Sequence, residues 1–149
     1  MFVQETTREE CVALVSSGRV GRLACARDNR PYVVPIHYAF ADNYLYSFSM
    51  PGQKVDWMRT NPSVCVQVDT FSGHRDWQSV VMSGLYEELP ESRNSGLDRE
   101  HAWSLLQRHA NWWEPGGLKP NVRPAGESPS NLFYRIIVES ITGRRTADS

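Results

Sequence analysis

Between Ser47 and Lys54 the chain reads SFSMPGQK, and these residue types in this order suit an anion. The hydroxyls of Ser47 and Ser49 stand just ahead of a loop that carries Gly52, Gln53 and Lys54. Glycine lets a ligand approach the backbone, lysine brings a point charge, and the amides that open a helix are donors for a phosphate. The same residues also read as a solvated turn with an exposed lysine, and the loop alone leaves both readings open. Further candidates flank it. Val34-Pro35-Ile36-His37 sets a proline and an imidazole inside an apolar run, and Trp77 and Ser79 open a later one. Pro35 cannot donate to a ladder, so it marks an edge, a bulge or backbone turned towards a ligand. Trp77 is equally well a core residue at the start of a strand.

Other chemistries lack their residues. His37, His74, His101 and His109 form no HxxxH or HxH pair, and no acidic or cysteine partner stands at ligand spacing, so no metal is expected. Ser83-Gly84 is not a nucleophile elbow, because Val81 stands where the first glycine is required. The chain contains no phosphate loop of the GxxxxGK type and no GxGxxG. Cys11, Cys25 and Cys65 are odd in number, far apart and outside any CxxC, which reads as reduced, mostly buried thiols.

The elements that must position the loop follow from periodicity. Tyr32, Val34, Ile36, Tyr38 and Phe40 alternate along one face of a strand, Ala41-Asp42-Asn43 supplies a turn, and Tyr44–Ser49 returns. A short helix after the loop, anchored by Val55, Met58 and Trp57, stops at Asn61-Pro62. Upstream, Thr7 and Glu10 form a capping box for a helix with the stripe Cys11, Leu14, Val15, and Gly18 follows as its C-terminal glycine. Val20–Ala26 then makes a hairpin with the Pro31 strand through Asp28-Asn29-Arg30-Pro31. Downstream lie the strands Ser63–Thr70 and Trp77–Leu89, with a bulge or close approach at Gly84. A helix over Asp98–His109 follows, with Ala102, Leu105 and Leu106 as its stripe and His101 and His109 solvated. Residues 111–131, which include Trp112 and Trp113, read as one long loop, and a last strand runs from Leu132 to Thr142 before a frayed tail over 146–149. This is a mostly β chain with a few short helices, in one domain spanning 1–149.

A VVPIHY strand, an LYSFS strand, a GQK turn, a short helix and then NPSVCVQVD resembles the pyridoxamine 5′-phosphate oxidase-like FMN-binding split-barrel family. The closer likeness is to its small flavin-nucleotide-binding branch, which includes nitroimidazole-reductase-like proteins. The resemblance implies a split β-barrel with FMN as cofactor. It places Ser47, Ser49, Gln53 and Lys54 around the phosphate and Val34, Pro35, Ile36 and His37 along the ring. It also implies a homodimer in which Trp77, Ser79 and Val80 reach the partner's flavin. Larger relatives carry Arg-Lys where this chain has Gln53-Lys54, and their C-terminal arginine cluster has no clear counterpart, although Arg144 is a candidate cation. Pyridoxamine phosphate is therefore not the expected substrate. The function implied is an FMN-dependent oxidoreductase that passes electrons from NADH or NADPH to a small organic acceptor. In it Tyr38, Trp77 and Trp112 would wall a flat slot, and His37 is the one titratable group available as a proton donor. The alternatives are a non-catalytic module for flavin, deazaflavin or haem, and a barrel that holds no cofactor.

Composition bounds these readings. Among 149 residues, 16 Lys and Arg balance 17 Asp and Glu, so no global basic field attracts nucleic acid or an anionic membrane. No apolar run approaches the roughly 20 residues of a membrane span, and MFVQETTREE lacks the order of a signal peptide. The expected location is the cytoplasm.

Overall fold

A computed structural model of the chain describes residues 2–73, 75–89, 96–109 and 132–147. The loop 111–131 with Trp112 and Trp113, His74, and the last two residues of the expected tail lie outside them. The elements in order are β1 (Phe2–Glu5), α1 (Arg8–Ser17), β2 (Val20–Arg27), β3 (Arg30–Ala41), β4 (Tyr44–Ser49), α2 (Gln53–Thr60), β5 (Ser63–Phe71), β6 (Trp77–Leu89), α3 (Gly96–Leu106) and β7 (Leu132–Ala147). A 3₁₀ turn, Gln107–His109, extends α3.

All described strand pairs are antiparallel, in the order β1-β7-β4-β3-β2-β5-β6, and β6 pairs with β7 to close a ring. This is the split-barrel architecture that the resemblance implied. Both tight turns work as their residues dictate. Asp28 (φ 51°) with Asn29 (φ 64°), and Asp42 (φ 52°) with Asn43 (φ 68°), take the left-handed backbone that short-armed Asp and Asn tolerate, and so set the hairpins β2–β3 and β3–β4.

Alternation along the strands feeds two apolar layers. Inward residues, among them Leu23, Tyr38, Val66, Met82, Tyr134 and Ile136, fill the barrel, with Cys11, Leu14 and Val15 of α1 and Met58 of α2 packed into the same cluster. Outward residues Ala39, Tyr46, Leu89 and Phe133 meet Ala102, Leu105 and Leu106 of α3. The helix therefore lies against the outside of the barrel.

Several sequence expectations change here. Phe2–Glu5 is too short to carry a usable period in sequence, yet it forms a strand that pairs with Arg144–Ala147. That pairing carries β7 beyond Thr142 to Ala147, so Thr146 and Ala147 are held rather than frayed. α3 starts at Gly96, earlier than Asp98. Gly18 ends α1 in extended rather than left-handed backbone (φ −84°), and its lack of a side chain serves packing: a Cβ there would collide with the Tyr38 hydroxyl. The Thr7–Glu10 capping box is present in both directions.

That tyrosine fastens α1 to the barrel. Its hydroxyl donates to the Val15 carbonyl at 2.7 Å in a buried setting, and burial pushes its own ionisation well above the usual phenol range. Tyr38→Phe leaves the Val15 carbonyl with the Gly18 amide, at 3.2 Å, as its remaining donor. The expected cost is about 1–2 kcal/mol, or roughly 2–8 °C in Tm for a chain of this length, measured by urea and thermal unfolding. Unchanged stability would show that the hydroxyl does not fasten the helix.

Candidate functional site

β4 ends at Ser49, three residues turn the chain, and Gln53 and Lys54 enter the first turn of α2 rather than remaining in a loop. No side chain caps this helix, in contrast to α1. Beside Gly52 there is open space: a Cβ at that position would have the Met50 carbonyl oxygen, at 4.0 Å, as its nearest neighbour. Lys54 is half-buried and makes no ion pair with any described residue. Burial lowers its pKa, and the neighbouring Cys25 thiol offsets part of that effect; the Cys25 thiol is itself pushed up by burial. A half-desolvated ammonium, an uncapped helix N-terminus and unfilled space at a glycine together fit a phosphate oxygen. Gln53 is exposed and adds a neutral amide.

The serines differ. Ser49 is half-buried and donates to the Met50 carbonyl at 2.8 Å, which leaves its oxygen able to accept. Ser47 is fully buried and donates to the His37 carbonyl at 2.5 Å, tying β4 to β3 from within the barrel wall. Its partner is thus backbone, and it supports the site from behind.

Along β3 the four residues read for a planar ring point in different directions. Val34 and Ile36 turn into the barrel, and Pro35 lies exposed on the outer face with Val33, which is 63% exposed. His37 faces outward too, but α3 covers it: its Nε2 lies 3.4 Å from the Leu106 carbonyl oxygen and its ring meets Phe48 edge-on at 6.5 Å. That setting suits a structural contact between barrel and helix better than a proton donor to an outside acceptor.

Pro35 costs no ladder bond. β4 pairs with β3 only over Tyr38–Ala41, so among the described strands residues 30–37 have β2 alone beside them. The Tyr38 amide donates to the Arg19 carbonyl on the β2 side at 2.8 Å, and by alternation the Pro35 nitrogen faces the side with no strand. Backbone polar groups of Val33 and the Pro35 carbonyl face this same split in the barrel. Both sequence readings of Pro35 meet there, since a local strand edge is also backbone available to a ligand.

Trp77 and Ser79 lie elsewhere. They line a cleft of about 500 Å³ with Val81 of β6, Glu5 at the end of β1, Thr6 after it, and Ile141–Arg144 of β7. Ser79 accepts from the Gln67 side chain at 2.9 Å. The far end of β6, Leu89, pairs with Phe133, which also pairs with Phe48 beside Ser49. The loop that precedes α2 thus lies toward the end of the 13-residue β6 that is far from Trp77. One chain does not bring the expected site residues together. Arg144, named in sequence only as a candidate cation, is placed in this cleft. Cys25, read only as a buried thiol, is the neighbour of Lys54, a pairing that no sequence spacing reveals.

The sequence pattern that describes pyridoxamine 5′-phosphate oxidases matches residues 7–145. The chain belongs to this family. An uncharacterized protein, RA0666, of Rhizobium meliloti (strain 1021) is 50% identical over 144 residues, 97% of this chain and 95% of that one. A crystal structure of an FAD-binding protein from Mesorhizobium loti is 47% identical with a TM-score of 0.82, covering 99% of this chain and 100% of the other. A structure from Bacteroides thetaiotaomicron, named as that of a "putative 5-nitroimidazole antibiotic resistance protein", shares the fold at 17% identity, with a TM-score of 0.70 over 97% of this chain and 89% of its own. Among the described residues of this family member no helix is long and apolar enough to cross a membrane, and no cluster of His, Cys, Asp and Glu could hold a metal ion.

Lys54 yields a stability prediction. A lysine whose pKa is lower in the folded chain than in the unfolded one opposes folding while charged, and the penalty fades as pH rises through the folded value. Lys54→Met should therefore raise the unfolding midpoint of the ligand-free chain at pH 7, with the gap to wild type narrowing as the pH becomes alkaline. A variant less stable than wild type at pH 7 would contradict the desolvated ammonium.

Proposed function

We propose that the chain is a flavin-dependent oxidoreductase acting as a homodimer, with two sites each shared between copies. The observation that carries the reading is Lys54, a half-buried cation with no counter-ion among the described residues, at the uncapped start of α2. There it meets the phosphate of the FMN moiety, which FMN and FAD have in common, with Ser49 and the amides of the first turn as further donors and acceptors. Membership of the family supports a flavin, and the Mesorhizobium loti relative supports FAD in particular.

The split beside Val33 and Pro35 supplies backbone groups along the edge of the ring, and the outer face around Pro35 leaves one side of that ring open to a second molecule. When bound, the flavin supplies the redox chemistry, accepting electrons from a reduced nicotinamide and passing them to a small organic acceptor. The protein's part is to orient the ring, exclude water and shape the slot. His37 braces the strand behind the ring from under α3. The separation within one chain supports the dimer, in which Trp77 and Ser79 reach a flavin held by another copy's loop. Exposed Val20, Val33 and Val81 on the outer barrel face give such a pairing apolar surface to bury.

The absorption spectrum of the purified protein separates flavin from deazaflavin, haem or no cofactor. Lys54→Ala should weaken FMN by about tenfold or more and leave riboflavin, which has no phosphate, nearly unchanged. Equal losses for both would place Lys54 elsewhere. Sedimentation at micromolar concentration should give a dimer, and a flavin-loaded monomer would defeat the shared site. Without oxygen, NADH or NADPH should bleach the bound flavin, and a nitroaromatic or quinone should restore it. If dithionite bleaches it and neither nicotinamide does, the chain stores flavin or uses another donor.

A further inference from the structure

The cleft at the start of β6 holds a set of groups that the phosphate loop does not explain. Arg144 lines it and makes no ion pair with any described residue, whereas its neighbour Arg145 is committed to Glu10 at 3.1 Å. The β1–β7 register sets Glu5 directly opposite Arg144, and the β6–β7 register sets Ser79 on its other side. Ser79 takes its hydrogen bond from Gln67 on oxygen and so keeps its proton to donate. Trp77 stands at the wall, its amide fixed to the Thr146 hydroxyl at 3.1 Å.

We propose that this cleft is an adenylate subsite. A guanidinium that makes no ion pair with a described residue suits a phosphate, an indole gives a planar base a face to stack on, and the Glu5 carboxylate on the facing strand accepts from ribose hydroxyls. The volume of about 500 Å³ falls within the range of small-molecule sites. An adenosine phosphate can reach the cleft as the far half of FAD or as part of a reduced nicotinamide dinucleotide. This identification of the source rests on the flavin reading above; the chemistry of the cleft does not.

The phosphate loop favours FAD. Its one cation is Lys54, and Gln53 beside it is neutral. A terminal phosphate monoester carries about −1.5 to −2 at pH 7, while each phosphate of a diphosphate bridge carries a single charge, which one lysine matches better. In the proposed dimer the loop of one copy holds the FMN half and the cleft of the other receives the adenylate. Glu5 also repels a phosphate on the ribose 2′ oxygen, so the cleft selects against 2′-phosphorylated ligands.

The test is a set of titrations of the full-length protein, freed of any bound flavin, with FMN, FAD, 5′-AMP, 2′,5′-ADP and NADH. Wild type should bind 5′-AMP more tightly than 2′,5′-ADP, and Glu5→Gln, on the outer strand β1, should narrow that preference. Arg144→Gln should weaken 5′-AMP by about tenfold or more. If the adenylate is that of FAD, wild type prefers FAD to FMN, and Arg144→Gln removes the preference without changing FMN. If it is that of the nicotinamide donor, FAD and FMN bind alike throughout, and Arg144→Gln weakens NADH. No binding of 5′-AMP, or no effect of Arg144→Gln on 5′-AMP, FAD and NADH in a variant that melts with wild type, overturns the subsite. Loss of flavin binding altogether, with 5′-AMP still bound, would instead defeat the flavin reading and leave the cleft assignment standing.

Discussion

The close approach of β6 to β7 at Gly84 is the constraint on which the barrel depends. β7 runs for 16 residues and must serve β4, β6 and β1 in turn. Its register against β6 shifts between Ser83 and Gly84, where Ser83 faces Ser140 and Gly84 faces Val138, so that Glu139 is the extra residue of a bulge. A Cβ at position 84 would land on the Ile137 carbonyl. Only glycine lets the two backbones come this near. The bend turns β7 from the α3 side, where Phe133 packs outward, to the cleft end, where Gly143 and Arg144 meet Ser79. Ring closure and the geometry of the cleft thus share one cause.

Closure also explains why the barrel can be split without unravelling. β3 gives up its β4 neighbour below Tyr38, yet the same stretch remains paired with β2 through Arg30, and β4 remains paired with β7 along its whole length. α1 and α2 both pack on the barrel core, with Tyr38 anchoring the first and Val55 and Met58 burying the second. A backbone edge that would otherwise invite aggregation is confined to a few residues, capped by a proline that has no donor to offer.

In the proposed function, Lys54 is a cost accepted for binding. Half-burying an ammonium with no counter-ion among the described residues opposes folding. α2 also forgoes the side-chain cap that α1 possesses. A bound anion relieves both deficits together, so ligand binding and stability are linked at one helix terminus.

Local patterning by itself determined much of this protein. The hairpin turns at Asp28-Asn29 and Asp42-Asn43, the capping box at Thr7, the inward stripes of β3, β5 and α3, and the glycine at the β6 bulge are written in neighbouring residues, because each depends on short-range sterics and hydrogen bonds. What depended on distant partners was not. β1 and the end of β7 exist as strands only because each pairs with the other. Gly18 is small because of Tyr38, Cys25 lies beside Lys54, and α3 rather than solvent covers His37. Above all, strand spacing could not show that Trp77 and Ser79 stand at the opposite end of β6 from Lys54, beside Arg144 and Glu5. That arrangement is set by the register of a closed ring, which no local stretch of sequence contains.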